Sequence, residues 1–276
     1  MSYDKTVSDH YLHGNLINAI EAALPSLGKT TSTVTIEDLA PVDEFHVGGR
    51  LATDNLIEQL NFSAAHHVLD VGCGLGGASR YVATKCNSRV TGIDLTPEYI
   101  ETGKTLCSWL NLEGKVTLEQ GSALSMPFED NAFDGGYILH VGMNIEDKLA
   151  LFSEVYRVLK PGAYFGIYDI MRQQEGEVVY PTPWATDSST SKLATPEQYA
   201  QALTEAGFEV SKENIRRDFA LDFFKQLRAK IEANGGPPPL GLHVLMQGST
   251  ADKVKNMVAN IANGLIAPVE IIAQKR

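Results

Sequence analysis

An apolar run that passes directly into closely spaced glycines is the feature of this sequence that most restricts its fold. Residues 67–71 read His-Val-Leu-Asp-Val, and glycines follow at positions 72, 74, 76 and 77. A short buried strand, a glycine turn and a helix form the arrangement in which backbone amides can approach a bound ligand closely. Gly72, Gly74 and Gly77 also satisfy the dinucleotide pattern G-x-G-x-x-G, so the glycines alone fit a nicotinamide enzyme as well.

Asp70 favours a different ligand. Its carboxylate comes at the end of the predicted strand, two residues before the first glycine. A carboxylate at this position repels a diphosphate, whereas it can bind the ammonium group of an amino acid. We therefore expect S-adenosylmethionine as the cofactor, because it carries an amino acid and no phosphate. The cofactor-binding residues predicted from this motif are Asp70, Gly72, Gly74 and Gly76.

The segment from Asp70 to Gly77 resembles the first motif of the class I S-adenosylmethionine-dependent methyltransferases. Further motifs carry the same resemblance in family order, and they are Ile93-Asp94-Leu95, Gly121-Ser122-Ala123, Phe133-Asp134 and Val158-Leu159-Lys160-Pro161-Gly162. Residues 45–49, Phe-His-Val-Gly-Gly, are similar to the segment that precedes the first motif in the sarcosine and dimethylglycine N-methyltransferases. The resemblance spans residues 60–215, which is most of the chain.

Apolar β-branched runs alternate with helical patterns between residues 66 and 170. Such alternation predicts a parallel sheet with helical crossovers. The predicted strands are 67–71, 89–94, 115–120, 135–140, 164–169 and 208–216. Predicted helices between them are 77–86, 97–110, 146–158 and 196–206. The resemblance implies an α/β, Rossmann-like sheet of seven mostly parallel strands with helices on both faces. The seventh strand, at 268–274, is then antiparallel and lies between the fifth and sixth.

Four segments are expected along the chain. Residues 1–60 are predicted to be largely helical, with a helix at 8–24, a loop at 26–40 and a helix at 51–60. The resemblance implies that this segment lies over the cofactor and substrate site. Residues 61–216 form the cofactor-binding α/β core, and residues 265–276 supply its final antiparallel strand. Residues 217–264 are much longer than a hairpin and are predicted to be a helical cap, because long insertions are usually functional.

The remaining cofactor contacts are expected after the second and third strands. Asp94 follows Gly72 by 22 residues, close to the ~20-residue offset at which an acidic residue binds ribose hydroxyls. An ordinary helix-start aspartate is the alternative. Leu95 is predicted to contact the adenine ring. Ser122 and the backbone of Ala123 are predicted to contact its amino group, although many relatives have an acidic residue at the position of Ser122.

His140 closes the fourth predicted strand, at the sheet edge where open parallel sheets bind ligands. It is therefore predicted to bind the cofactor and is the candidate catalytic base, with a purely pocket-shaping role as the alternative. Tyr168 and Trp184 are candidate acceptor-binding aromatics, since ring faces attract methylated cations. His46 and His243 are candidates from the leading segment and the cap. Each of these four residues has core packing or local structure as its alternative.

Composition restricts the classes of partner that this chain is expected to bind. The chain of 276 residues has a formal net charge of −11 and no cluster of Lys and Arg, which argues against nucleic acid and anionic membranes and favours a small neutral or cationic acceptor. Cys73, Cys86 and Cys107 are odd in number and lack metal-ligand spacing, so we expect reduced thiols, no metal site and a cytoplasmic location. No signal peptide or membrane insertion is predicted. A homo-oligomer is compatible with this composition.

The predicted function is methyl transfer from S-adenosylmethionine to a small molecule, most simply an amine. C- or O-methylation of a lipid-like or quinone-like acceptor is the variant. A nicotinamide-dependent oxidoreductase and a binding protein that retains the cofactor fold without catalysis are the alternatives from other classes.

Overall fold

Seven strands form one sheet in the order β3-β2-β1-β4-β5-β7-β6. The computed structural model describes residues 3–276. The strands are β1 His67–Val71, β2 Arg89–Asp94, β3 Val116–Gln120, β4 Phe133–Leu139, β5 Leu159–Arg172, β6 Phe208–Ile215 and β7 Ile266–Lys275. Six strands run parallel, and β7 is antiparallel to both of its neighbours, β5 and β6. The predicted fold class and the position of the seventh strand are confirmed.

Eleven α-helices surround the sheet in the described residues. They are α1 Tyr3–Tyr11, α2 Leu16–Ala23, α3 Ile36–Asp43, α4 Gly49–Ile57, α5 Gly77–Lys85, α6 Pro97–Trp109, α7 Lys148–Val158, α8 Pro196–Glu205, α9 Arg217–Ala233, α10 Leu242–Met246 and α11 Thr250–Ala262. Among residues 3–276, no helix combines the length and the apolar character needed to cross a bilayer.

Side chains of β1 alternate between two hydrophobic cores, as the period of a strand requires. Leu69 and Val71 pack in the core that α7 and α8 complete. Val68 packs in the core on the opposite face, which α4, α5 and α6 complete. Asp70 shares this second face and is 2% exposed, so its carboxylate is buried beneath α5.

The segment before β1 packs against the segment between β6 and β7. Leu16 and Ile20 of α2 share a buried cluster with Leu39 of α3 and with Leu240, which precedes α10. A second cluster joins Val47 to α9 and α11. Both segments therefore lie over the same side of the molecule, above the carboxyl ends of the strands.

The predicted helix at 8–24 is wrong as a single element. It is divided into α1 and α2 because Gly14 takes a left-handed φ of +86°. The carboxylate of Glu98 accepts hydrogen bonds from the backbone amides of His13, Gly14 and Leu16, which fixes the turn between the two helices.

The predicted loop at 26–40 is also wrong in its last third, where α3 begins. Thr35 and Asp38 form a capping box, in which each side chain accepts a hydrogen bond from the backbone amide of the other residue. The fifth strand is longer than predicted at both ends, because Leu159 pairs with Phe133 of β4 and the pairing with β7 continues to Arg172.

Candidate active site

The carboxyl ends of β1, β2 and β4 meet where the strand order changes direction. In the sheet, Asp70 of β1 lies between Gly92 of β2 and Tyr137 of β4. A crevice at such a switch point is where open parallel sheets bind ligands. Asp94 ends β2 and His140 follows β4, so the structure brings the predicted acidic and imidazole side chains to one edge.

The turn after β1 requires its glycines for two reasons. Gly72, Gly74 and Gly76 have φ values of +71°, +54° and +75°, a region that other residues seldom adopt. A Cβ on Gly72 would lie 2.3 Å from the Val141 side chain, whereas a Cβ on Gly74 would meet nothing closer than Tyr99, at 4.0 Å. Gly74 is therefore the point where the turn leaves room for a ligand.

Asp70 is a buried carboxyl with hydrogen-bond donors but no cationic partner among the described residues. One of its oxygens accepts hydrogen bonds from Ser79 Oγ at 2.5 Å and from the Tyr137 hydroxyl at 2.9 Å. Burial raises its pKa to about 7, and the nearby carboxylate of Asp94 acts in the same direction. An ammonium group would compensate this buried acid, and a diphosphate would be repelled by it.

Asp94 holds the glycine turn from the neighbouring strand. Its two oxygens accept hydrogen bonds from the Gly74 amide at 3.0 Å and from the Thr96 amide at 2.8 Å. Burial raises the pKa of this carboxyl. Since each carboxylate oxygen can accept more than one hydrogen bond, the group can still take a pair of vicinal hydroxyls. With Asp70 it places two hydrogen-bond acceptors around a glycine turn, which fits the ammonium and hydroxyl donors of an adenosyl amino acid.

The predicted adenine contacts flank this site. Leu95 follows Asp94 directly, and Ser122 and Ala123 lie half-buried in the turn after β3. The Ser122 hydroxyl accepts a hydrogen bond from the Leu124 amide at 3.3 Å. Ala123 packs against the edge of the core under α7 and α8.

His140 is a neutral, fully engaged imidazole. Its Nε2 lies 3.3 Å from the Val47 amide and its Nδ1 lies 3.1 Å from the Tyr168 carbonyl. Since an amide can only donate, Nε2 is the acceptor and Nδ1 carries the proton. Burial lowers the pKa of His140 to about 3. The lone pair that a catalytic base would use is therefore occupied by Val47.

His46 and Tyr168 hold the same leading segment in place. The Tyr168 hydroxyl donates to the Val47 carbonyl at 3.0 Å. His46 Nε2 lies 3.0 Å from the Gly49 carbonyl and 2.9 Å from Thr53 Oγ1. Burial lowers the pKa of His46 to about 4. The Tyr168 hydroxyl therefore fastens Val47 to β5, whereas His46 closes the turn that leads into α4.

Trp184 lies in the connection that follows β5, and His243 lies on α10. Trp184 is 1% exposed, donates from Nε1 to Ser191 Oγ at 2.9 Å and packs with Val47 and Met257. His243 is half-buried on α10. Of the four predicted acceptor contacts, His46, Tyr168 and Trp184 are thus buried, and His243 lies half-buried in the 217–264 insertion.

A small cavity of about 10 Å³ lies between α1, α6, α10 and α11. Its walls include Tyr11, Phe45, Tyr99, Leu245, Met246 and Lys253. The Tyr11 hydroxyl donates to Asn144 Oδ1 at 2.9 Å. Burial raises its pKa, and the carboxylates of Asp94 and Asp169 act in the same direction. Tyr11 therefore crosses the carboxyl edge of the sheet, and the cavity lies directly above that edge. None of His46, Tyr168, Trp184 and His243 lines it.

The cavity is lined in part by Lys253, a residue that the sequence patterns did not single out. Lys253 lies on the buried face of α11, one turn before Met257 and two turns before Ile261. A lysine in register with an apolar stripe is the signal that could have found it. Within residues 3–276, no group of three or more His, Cys, Asp or Glu side chains is arranged to hold a metal ion.

Comparison with known proteins gives the following matches. Residues 69–167 match the family model described as "Methyltransferase domain". Phosphoethanolamine N-methyltransferase 1 of Arabidopsis thaliana is 32% identical over 190 residues, which is 67% of this chain and 37% of that protein.

Two solved structures share the fold. A candidate sarcosine dimethylglycine methyltransferase from Galdieria sulphuraria superposes with a TM-score of 0.67 at 18% identity, over 84% of this chain and 94% of that one. Geranyl diphosphate C-methyltransferase from Streptomyces coelicolor, solved with S-adenosyl-L-homocysteine, gives 0.71 at 16% identity, over 100% of this chain and 98% of that one.

The chain spans about half to two thirds of the length of several curated relatives, covering 49%, 59% and 64% of three of them. Residues 69–167, which match the family model, contain the glycine turn and the ends of β1, β2, β3 and β4.

Proposed function

Since this chain carries a methyltransferase domain of the class I S-adenosylmethionine-dependent family, we propose that it transfers a methyl group from S-adenosylmethionine to a small-molecule acceptor. The observation that carries the proposal is the pair of buried acids, Asp70 and Asp94, on either side of the glycine turn. They complement a cationic amino acid and a ribose diol. The Asp70 carboxylate opposes a diphosphate, so the nicotinamide alternative is set aside.

Each part of the cofactor has a proposed partner. Asp70 takes the ammonium group. Gly74 has no side chain, so the cofactor can approach the backbone closely beside Asp70. Asp94 takes the ribose hydroxyls, and its hydrogen bond to the Gly74 amide keeps the two parts of the site in register. The proposed adenine and turn contacts are Leu95, Ser122, Ala123, Gly72 and Gly76.

We propose an amine as the acceptor. The sulfonium of the cofactor supplies an already activated methyl group, so the protein mainly has to align the nucleophile and exclude water. An unprotonated amine brings its own lone pair. The engaged state of His140 supports this choice, because its Nε2 is not free to remove a proton. We therefore assign His140 the role of positioning residue for the leading segment.

C- or O-methylation of a lipid-like or quinone-like molecule is the second candidate. The fold shared with a geranyl diphosphate C-methyltransferase supports it. An oxygen or carbon acid would need a base, and Asp169 on β5 is the candidate. Its carboxylate accepts hydrogen bonds from the Tyr199 hydroxyl at 2.7 Å and from the Ile170 amide at 3.0 Å, and burial raises its pKa to about 6.

The leading segment and the 217–264 insertion are proposed to close over the acceptor together. The packing of α10 on α2 and α3 supports this coupling. His46 and Tyr168 would then fix the closed position of the leading segment, while His243 and Trp184 would shape the outer wall. Residues 61–216 and the final strand, 265–276, provide the rigid core beneath.

A reducing, cytoplasmic compartment is proposed from the three free thiols, of which Cys73 and Cys107 are buried.

The test is to incubate the purified protein with tritium-labelled S-adenosylmethionine and a small-molecule extract, and then to identify the labelled product. We expect label in an N-methylated metabolite, and the Asp94→Ala variant run in parallel should give little or none. Label in a C- or O-methylated product would replace the amine assignment. Absence of label from every fraction, with S-adenosylhomocysteine still bound, would favour the non-catalytic alternative.

A further inference from the structure

Lys253 is a largely buried lysine whose ammonium group has no hydrogen bond or ion pair with the described residues. The residue is 8% exposed. Burial alone lowers its pKa, with no carboxylate acting in the opposite direction. The ammonium nitrogen reaches solvent, but most of the side chain is shielded from water, and an anion beside such a cation stabilises it. The side chain therefore calls for an anion that the protein itself does not supply.

The other buried lysines form hydrogen bonds within the protein. Lys148 donates to the carbonyls of Ile145 and Lys192. Lys275 donates to two carbonyls and to an asparagine side chain. Both are therefore satisfied within the fold, which leaves Lys253 as the exception among the buried lysines of the described chain.

The position of Lys253 is fixed by its helix. Asn256 donates to the Pro181 carbonyl at 3.0 Å, and Asn260 exchanges hydrogen bonds with the backbone of Val179. Met257 and Ile261 are fully packed below. The helix α11 is thus anchored on both sides, and it directs Lys253 into the cavity above the strand ends.

The remaining cavity wall is uncharged. Phe45, Leu245 and Met246 are apolar, and burial keeps the Tyr99 hydroxyl neutral by raising its pKa. His10 uses both ring nitrogens, one with the Pro183 carbonyl and one with Thr186 Oγ1, and burial lowers its pKa. A single cation within an apolar and aromatic wall matches the chemistry of a ligand with one anionic group and an apolar body, and the cavity, at about 10 Å³, has to widen to admit it.

We propose that Lys253 binds an anionic group, a carboxylate or a phosphate, on the methyl acceptor. The inference rests on the proposed function, because it takes the cavity to be the acceptor side of the active site. It also changes the expectation from composition, which favoured neutral or cationic acceptors. The acceptor class becomes an amphiphile that carries an anion in addition to its nucleophilic atom.

The test compares binding of decanoate, decyl phosphate and decanol by calorimetry, to the protein alone and to the protein loaded with S-adenosylhomocysteine. We expect at least one anionic probe to bind ten times more tightly than decanol. Lys253→Met should remove that difference and Lys253→Arg should retain most of it. Lys255→Met is the matched control, since Lys255 is exposed on the same helix and its loss should change nothing.

Three results would overturn the proposal. The first is equal binding of anionic probes and decanol by the wild-type protein, a comparison that needs no variant. The second is an unchanged preference in Lys253→Met. The third is a tenfold loss of S-adenosylhomocysteine affinity in Lys253→Met with unchanged probe binding, which would assign the lysine to the cofactor carboxylate.

A stability measurement separates ligand binding from a structural role. Lys253→Met removes an unpaired charge from a largely buried side chain, so we expect it to melt at a higher temperature than the wild type without ligand. A lower melting temperature would contradict the absence of a partner. Failure of the wild type to bind S-adenosylhomocysteine would instead count against the proposed function, and the probe comparison on the unloaded protein would still decide the role of Lys253.

Discussion

The Val47 amide donates a hydrogen bond to Nε2 of His140, 3.3 Å away, and this contact fastens the leading segment to the end of β4. His140 itself takes a left-handed φ of +55°, and its own amide donates to the Tyr168 carbonyl at 2.8 Å. The imidazole is thus held by hydrogen bonds to β5 and binds the segment that covers the site.

Replacing His140 tests whether it positions this segment or acts as a base. We expect His140→Ala to lower turnover about tenfold, the cost of one buried hydrogen bond to a segment that aligns the acceptor, with a smaller effect on cofactor affinity. His140→Gln should retain more activity, because its carbonyl oxygen can still accept from Val47. Steady-state kinetics of both variants from pH 6 to 9 checks this.

The pH profile supplies the control for that prediction. With a pKa of about 3, His140 stays neutral throughout the assay range and should contribute no ionisation near its ordinary value. A Gln variant as inactive as the Ala variant, together with loss of a wild-type ionisation between pH 6 and 7, would identify His140 as a base.

Asp94→Ala should weaken S-adenosylhomocysteine binding at least tenfold. The substitution removes charge-assisted hydrogen bonds to ribose, worth roughly 1.5–3 kcal/mol each, and it also frees the Gly74 amide. Calorimetry measures the change. Asp134→Ala is a suitable control because Asp134 accepts from the His67 amide at the opposite edge of the sheet. Equal affinity in the wild type and Asp94→Ala would refute the ribose assignment.

Asp70 should make cofactor binding depend on pH. In the free protein its pKa is about 7, and an ammonium group favours the ionised form. Affinity should therefore rise as the pH increases from 5.5 to about 7.5 and then level off. Asp70→Asn should bind more weakly and lose this dependence, as measured by calorimetry across the same range. A pH profile shared by both proteins would remove Asp70 from the ammonium site.

The same ionisation affects stability with a defined sign. Because the folded-state pKa of Asp70 lies above its unfolded value, the contribution is fully present at low pH and is lost as pH rises toward about 7. Bound S-adenosylhomocysteine should remove this loss. Thermal melting of wild type and Asp70→Asn with and without the ligand measures it, and a wild-type protein without ligand that gains stability from pH 5 to 7 relative to Asp70→Asn would contradict the assignment.

The buried ion pair between Asp43 and Arg80 should be a main link between α3 and α5. Both side chains are at most 1% exposed, and Arg80 also donates to the Leu75 carbonyl. Arg80→Met leaves the Asp43 carboxylate buried without its cation, which costs about 3–5 kcal/mol. Denaturant unfolding measures the loss. The double variant Asp43→Leu, Arg80→Met should recover part of it, and a double variant less stable than the single one would argue against the pair.

Much of the sheet could be predicted because each strand is a short apolar run between turn signals. The run at 67–71 matches β1 residue for residue, and the antiparallel last strand followed from the family resemblance. The segment before β1 was harder, because the break between α1 and α2 depends on Glu98, a side chain over 80 residues away. The Thr35 capping box is local, and it could have been recognised.

The site also contains residues that the sequence could predict and residues that it could not. Asp70, Asp94 and the glycines occupy fixed positions relative to strand ends, so the pattern alone brings them together. Tyr11, Phe45 and Lys253 come from three separate elements whose packing is set by tertiary contacts. His140 was found by its position, but the hydrogen bond that engages its Nε2 comes from Val47, far away in the sequence.

Calorimetric titration of the purified protein with S-adenosylhomocysteine and, separately, with NADH tests the central claim most directly. With two buried acids beside the glycine turn, we predict saturable 1:1 binding of S-adenosylhomocysteine that Asp94→Ala weakens at least tenfold, and no measurable binding of NADH. Tight NADH binding without binding of S-adenosylhomocysteine would contradict the account.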